Sequence, residues 1–313
     1  MPAILDGRPW IMQRADPYVL LSPDGWYFFL ATVPEYDRIV IRRANSLEAL
    51  PHAPETVVWW RHDRGPMSKH VWAPEMHWLD GKWYIYFAAG EQEDPWKIRP
   101  YVLVCDSSDP LTGAWAEGGM VQAAPEDAFS FRDFSLDMTV FTVNSRRYCV
   151  WAEKVNVGKK ISNLYIAEMA TPTRLKTAQV LLTTPDYVWE RQGYWVNEGP
   201  AVFQHAGMIF LTYSASETGA CYCMGMLTAR QDADLLDPRS WRKQRDPVFA
   251  SNEQKRIFGP GHNSFTTDAQ GRDILVFHAR DYEAVAGDPL EDPNRHARLC
   301  IVQWDERGNP LFA

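Results

Sequence analysis

The chain has 313 residues, 46% of them hydrophobic, and a formal net charge of −8, with both signs of charge mixed throughout and no basic stripe of the kind nucleic-acid binding favours. That length allows one large or two ordinary domains, but no Gly/Ser run, low-complexity tract or block of like charge marks a linker, so a single domain over 1–313 is expected. No apolar stretch approaches a membrane span, and the opening Met1-Pro-Ala-Ile-Leu-Asp lacks the basic and apolar regions of a secretory signal, which points to a cytoplasmic protein unless a signal has already been trimmed away.

Taken in chain order, the predicted strands fall into five similar sets. The first opens at Asp16-Pro-Tyr-Val-Leu-Leu, turns at Ser22-Pro-Asp-Gly, and continues through Trp26–Thr32, a strand around Arg38–Arg43, and Val57-Val-Trp-Trp. The second opens at Glu75-Met-His-Trp-Leu and passes through Asp80-Gly81, a strong hairpin signal between aromatic-rich runs, into Trp83–Ala88 and Tyr101–Cys105. The third and fourth open at Asp137-Met-Thr-Val-Phe and Glu198-Gly-Pro-Ala-Val-Phe, with second runs at Tyr148-Cys-Val-Trp and Met208-Ile-Phe-Leu-Thr-Tyr. The fifth opens at His262-Asn-Ser-Phe and continues at Ile274-Leu-Val-Phe-His, after which Arg298–Trp304 reads as a strand that completes the last set or seals the chain near its N-terminus. Helical period is confined to short pieces such as Ala233–Leu236.

From Asp16 to His262 the five openings lie 59, 62, 61 and 64 residues apart. A repeat of that length, built of strands, predicts a radially repeated all-β fold, and five sets predict a five-bladed β-propeller. The 14 tryptophans among 41 aromatic residues suit sheets packed face to face, with a handful free to present flat faces to a sugar. The five cysteines (105, 149, 221, 223, 300) are odd in number and scattered, and read as buried free thiols; Cys221-Tyr-Cys223 lacks the spacer of a zinc or redox pair. His70, Glu75 and His77 match no metal-binding spacing.

Arranged about an axis, the openings bring ionisable groups together. Asp16 alone is a turn residue before Pro17. Asp137, inside Phe134-Ser-Leu-Asp-Met-Thr-Val-Phe, and Glu198, inside Trp195-Val-Asn-Glu-Gly-Pro-Ala-Val-Phe, are carboxylates in apolar strands, and an isolated buried charge is costly. Mutual repulsion and desolvation raise at least one pKa in such a cluster, leaving a protonated acid beside an ionised base. That is the requirement of glycoside hydrolysis, and facing blades suit the roughly 6.5–9.5 Å separation of inverting enzymes.

Ala15-Asp16-Pro17, Trp72-Ala-Pro-Glu75, Ser135-Leu-Asp137, Asn197-Glu198-Gly-Pro and Gly261-His262-Asn-Ser, in this order, resemble glycoside hydrolase family 43, the five-bladed propeller arabinofuranosidases and xylosidases. The resemblance covers essentially the whole chain. It implies Asp16 as general base, Glu198 as general acid, Asp137 as the group that raises and orients Glu198, and inversion without a covalent intermediate. It implies Trp72 as a wall of the sugar pocket with Glu75 in support beside it, and Trp195 as a further aromatic of the site. Arg280 is implied to hydrogen-bond the sugar, or else to neutralise the carboxylates. His262 is either a contact of a structural calcium ion or its waters in the channel, or a hydrogen-bonded core histidine; no cofactor is required by the reaction. The substrate implied is a small arabinan-derived oligosaccharide losing terminal α-L-arabinofuranose to an exo-acting enzyme. A β-D-xylosidase, or a bifunctional enzyme, is the alternative on the same fold, and a sugar-binding propeller without activity is a third reading. Neither nucleic acid nor a membrane is an expected partner.

Overall fold

The computed structural model describes residues 4–157 and 159–312, so Met1–Ala3 of the expected leaderless N-terminus lie outside it. Short turns define its hairpins. Asp80 and Gly81, with φ of 50° and 78°, join Leu79 to Lys82, the left-handed pair that matches the twist of flanking strands. Asn144-Ser145 and Ala206-Gly207 do the same for the next two hairpins, although neither is as plain a signal in the sequence.

The strands group into five antiparallel units. Unit I holds Ala15–Leu21, Tyr27–Thr32, Arg38–Ala44 and Thr56–Trp60. Unit II holds Lys69–Leu79, Lys82–Gly90, Arg99–Cys105 and Ala116–Met120. Unit III is Ser135–Val143, Arg146–Val157 and Lys159–Thr171, with short strands at Arg174–Leu175 and Val180–Thr183 on the last of these. Unit IV is Trp195–His205, Met208–Ala215, Cys223–Arg230 and Arg242–Lys243. Units III and IV share one sheet through a brief parallel contact, Ile161 with Trp195 and Ser162 with Val196. Unit V is Phe258–Thr267, Asp273–Arg280 and His296–Trp304, joined by Asp6–Ile11 from the other end of the chain and by Pro310–Phe312. The strand expected near Arg298 therefore seals the chain against its N-terminal strand. Ala233–Leu236 is a turn, not a helix.

The inner strand of each unit touches the next, I to II to III to IV to V and back to I. The apolar clusters lie between units. Phe28 and Leu30 pack with Ile85 and Phe87, Tyr86 with Trp151, Val150 with Leu211, Met224 with Phe277, and Ile274 with Phe29. Trp151, Tyr86, Phe29, Phe210 and Phe277 are among the largest fully buried side chains, each worth roughly 2 kcal/mol of transfer free energy. All five lie on second strands, so packing between units fixes how the inner strands face one another.

Candidate active site

Every inner strand breaks register at the same place: between Ala15 and Tyr18, Trp72 and Glu75, Leu136 and Thr139, Glu198 and Ala201, and Gly261 and Ser264. One residue in each break has positive φ: Asp16 (52°), Ala73 (47°), Asp137 (55°), Gly199 (54°) and His262 (38°). Left-handed backbone costs an ordinary residue roughly 1–2 kcal/mol, and a bulge of this kind re-aims the side chains around it. These five are the true structural equivalents. The sequence expectation is right for units I, III and V. In unit II the equivalent is Ala73, two residues before Glu75, and in unit IV it is Gly199, one after Glu198.

Asp16, Asp137, Glu198 and His262 line one open cavity of about 460 Å³, together with Trp72, Trp195, Tyr222 and Arg295. Trp96 and Tyr194, both largely exposed, stand in its lining as well. Asp16 is buried and held on several sides: His262 Nδ1 lies 3.2 Å and Arg295 Nη1 3.7 Å from Oδ1, and the Thr32 hydroxyl donates to Oδ2 at 2.5 Å. Thr32 Oγ1 in turn accepts the Ala73 N–H at 2.8 Å. Asp137 Oδ2 accepts the Gly199 N–H at 3.0 Å and lies 3.9 Å from His262 Nδ1. The Tyr222 hydroxyl donates to Glu198 Oε1 at 2.9 Å.

These partners separate the three acids. Burial raises the pKa of Asp16, but His262 and Arg295 outweigh it and hold the carboxyl well below its ordinary range. His278, itself pushed down to about 4 by burial, adds to that lowering: its Nδ1 lies 3.3 Å from Oδ1 and 3.0 Å from the Asp16 backbone nitrogen. Asp137 is pushed up to about 7, chiefly by burial, against the pull of His262 and with the repulsion of Glu198 and Asp16. Glu198 is raised as well, first by burial. Two raised carboxyls that repel one another titrate as a pair, and the pair retains one proton near neutrality. Each acid has groups that favour its anion: the Gly199 N–H at Asp137, the Tyr222 hydroxyl and Lys154 at Glu198, and His262 at both. His262 is raised by its carboxylates despite burial.

Of the expected sugar contacts, Trp72 and Trp195 line the cavity, whereas Glu75 and Arg280 do not. Glu75 is buried against His77, its Oε2 3.2 Å from Nε2. Arg280 spends its guanidinium on the Thr218 carbonyl, at 2.6 Å, and the Pro289 carbonyl, at 2.5 Å. It thereby ties down the segments that carry Thr218, Asp288 and Leu290 to the cavity. The arginine that reaches the carboxylates is Arg295, which also donates to the Tyr36 hydroxyl at 2.9 Å. Thr32, Tyr222 and Arg295 do not stand out in the sequence as site residues, because each belongs to a second strand or loop whose register no local pattern reveals.

Calcium takes six to eight oxygen ligands, and no group of three or more metal-binding side chains is assembled among the described residues. His262 turns Nδ1 to Asp16 and Asp137, which fits the hydrogen-bonded alternative; the residues present do not form a calcium cage.

A family model described as "Glycosyl hydrolases family 43" matches residues 7–310. An "Extracellular exo-alpha-(1->5)-L-arabinofuranosidase" of Streptomyces avermitilis is 49% identical over 312 residues, 99% of this chain and 64% of the relative. A protein of the same name from Streptomyces chartreusis is 48% identical over 90% of this chain and 84% of its own length. "Alpha-L-arabinofuranosidase 43" of Humicola insolens is 49% identical over 99% of this chain and 64% of the relative. The chain thus spans just under two thirds of two of these three relatives. Among solved structures, an α-L-arabinofuranosidase from Lactobacillus brevis superposes with a TM-score of 0.91 at 47% identity, covering 98% of this chain and 96% of the other.

Proposed function

This chain belongs to glycosyl hydrolases family 43, and from that premise we propose that it is an inverting, exo-acting glycoside hydrolase that releases terminal α-L-arabinofuranose from arabinan-derived oligosaccharides. The observation that carries the reading is the one cavity that brings Asp16, Asp137 and Glu198 together, with the Asp16 carboxyl held below its ordinary range and the other two raised by burial. The names borne by relatives at 48–49% identity support the sugar. The five units in a closed circuit are read as the blades of a five-bladed propeller and as one catalytic domain, with the inner strands about its axis.

In the proposed reaction Glu198 passes its proton to the glycosidic oxygen as the bond to the anomeric carbon breaks. A water held by Asp16 attacks the opposite face of that carbon and gives its proton to the Asp16 carboxylate, so the released sugar has inverted configuration. Asp137, kept anionic by the Gly199 N–H, holds the proton on Glu198. The cations around Asp16 weaken it as a base; its contribution is to be ionised at every working pH and fixed in place. No step passes through a metal ion. Trp72 and Trp195 would flank the sugar. Two relatives carry "Extracellular" in their names, which supports a secreted protein and not the cytoplasmic location expected from the sequence.

The test is a rate comparison on aryl α-L-arabinofuranoside and aryl β-D-xyloside. Preference for the arabinofuranoside by at least about tenfold, or 1.4 kcal/mol in transition-state stabilisation, is expected; preference for the xyloside would overturn the sugar assignment.

A further inference from the structure

Three of the five bulges send their backbone N–H to a second-strand side chain of the preceding unit in the circuit. The Asp16 N–H goes to His278 Nδ1 at 3.0 Å, the Ala73 N–H to Thr32 Oγ1 at 2.8 Å, and the His262 N–H to Ser214 Oγ at 2.7 Å. His278, Thr32 and Ser214 hold one and the same position. Each lies on a second strand, opposite the residue just before the bulge: Gly261 with His278, Ala15 with Thr32, Glu198 with Ser214. In unit II that position is Ala88, opposite Trp72, and in unit III it is Ala152, opposite Leu136. Alanine offers no side-chain acceptor. By the pattern of the other three, Ala152 of unit III is the residue that corresponds to the bulge of unit IV, and there the Gly199 N–H goes instead to Asp137 Oδ2 at 3.0 Å. Gly199 can hold this pose because it carries no side chain: its φ is 54°, and a Cβ would meet His262 Cγ at 3.0 Å.

We propose that Ala152 is a positioning residue: by offering no acceptor it releases the Gly199 amide to Asp137, and so decides which member of the Asp137–Glu198 pair is the anion. The proposed hydrolysis needs that choice, since Glu198 can donate a proton only if Asp137 does not retain it, and the catalytic part of this inference rests on that reading. The protein contains its own controls. Ser214 shows that a serine at this position reaches the next bulge, and Thr32 shows the same for threonine. A hydroxyl at position 152 would therefore take the Gly199 N–H and leave Asp137 without it. A carboxylate that loses a hydrogen bond to its charged form binds protons more tightly.

The experiment reads the Gly199 amide directly and needs no turnover. Labelling glycine nitrogen and glutamate carbonyl carbon selects the two Glu-Gly steps of the chain, Gly118 and Gly199, for NMR titration. In the parent protein the Gly199 amide proton is expected to shift with the ionisation of Asp137. In Ala152→Ser that shift should disappear. Where hydrolysis is measurable, the acidic limb of the kcat/KM profile should then move up by about one pH unit, and kcat should fall about tenfold with KM changed less than about twofold. Ala152→Cys adds similar bulk with only a weak acceptor and should retain the Gly199 titration. Ala152→Thr, copying Thr32, replaces the serine variant if that one does not fold. An untitrating Gly199 amide in the parent, an unchanged titration in the hydroxyl variant, or equal loss in the cysteine variant overturns the inference. Absence of hydrolysis in the parent would sink the proposed activity while leaving the Gly199 titration to decide this proposal.

Discussion

Asp16 in unit I and Asp137 in unit III sit on the same bulge of the same strand, with φ of 52° and 55°, yet their neighbours drive them in opposite directions. Around Asp16, His262, Arg295 and the Thr32 hydroxyl all favour the carboxylate. Around Asp137, one backbone N–H and a more distant imidazole are set against burial and a second carboxyl, Glu198. The bulge supplies the position and the adjoining unit supplies the chemistry. Equivalent residues of a repeat thus acquire different charge states through side chains that lie outside their own strand.

The comparison breaks most visibly in the acids themselves. Asp16→Asn should lower hydrolysis by about 10²–10⁴-fold whatever the leaving group, the range of general acid–base contributions. Glu198→Gln should cost as much on an arabino-oligosaccharide, yet far less on a dinitrophenyl arabinofuranoside, whose leaving group needs little protonation. Equal losses on both substrates would refute the donor role of Glu198. Asp137→Asn sharpens the contrast with a smaller effect, about tenfold in kcat at neutral pH. With the neighbouring anion gone, Glu198 loses its proton more easily, so the basic limb of the pH–rate profile should move to lower pH. A basic limb that stays in place would contradict the pairing.

The smallest effect is on stability. Between the ordinary carboxyl range and about pH 7 the folded Asp137–Glu198 pair holds a proton that the unfolded chain releases. Folding therefore takes up a proton in that window, and the pair's contribution to stability falls as pH rises through it. Asp137→Asn should accordingly gain stability relative to the parent between about pH 4 and 8, by an amount on the order of 2 kcal/mol, read by denaturant unfolding at the two ends. Asp16 acts in the other sense: its lowered pKa stabilises the fold above the ordinary carboxyl range, and that contribution is lost as pH falls toward its folded value. A pH-independent difference for Asp137→Asn would contradict the shared proton.

Much of this was legible in the sequence. Asp137 and Glu198 stand out as carboxylates in apolar strands, and the spacing of the openings predicted five sets. The matching of Glu75 to Asp16 failed because a bulge inserts a residue without leaving a polar mark: in unit II the left-handed position is an alanine, in unit IV a glycine. The next residue is a better marker in three of the five units, since Pro17, Pro74 and Pro200 each come directly after the left-handed position. Arg280 misled for a different reason. Its neighbourhood in sequence is the site, but its guanidinium is consumed by carbonyls of two loops, and Arg295, from the segment those loops adjoin, takes the place beside Asp16. Thr32, Ser214, His278 and Ala152 share one position that only pairing with the inner strand identifies.

The central claim, a water held by Asp16 opposite a proton donor at Glu198, is tested most directly by proton NMR of the first sugar released from an aryl α-L-arabinofuranoside. The account predicts β-L-arabinofuranose first, with the α-anomer appearing only as the sugar mutarotates. The α-anomer as first product would contradict it.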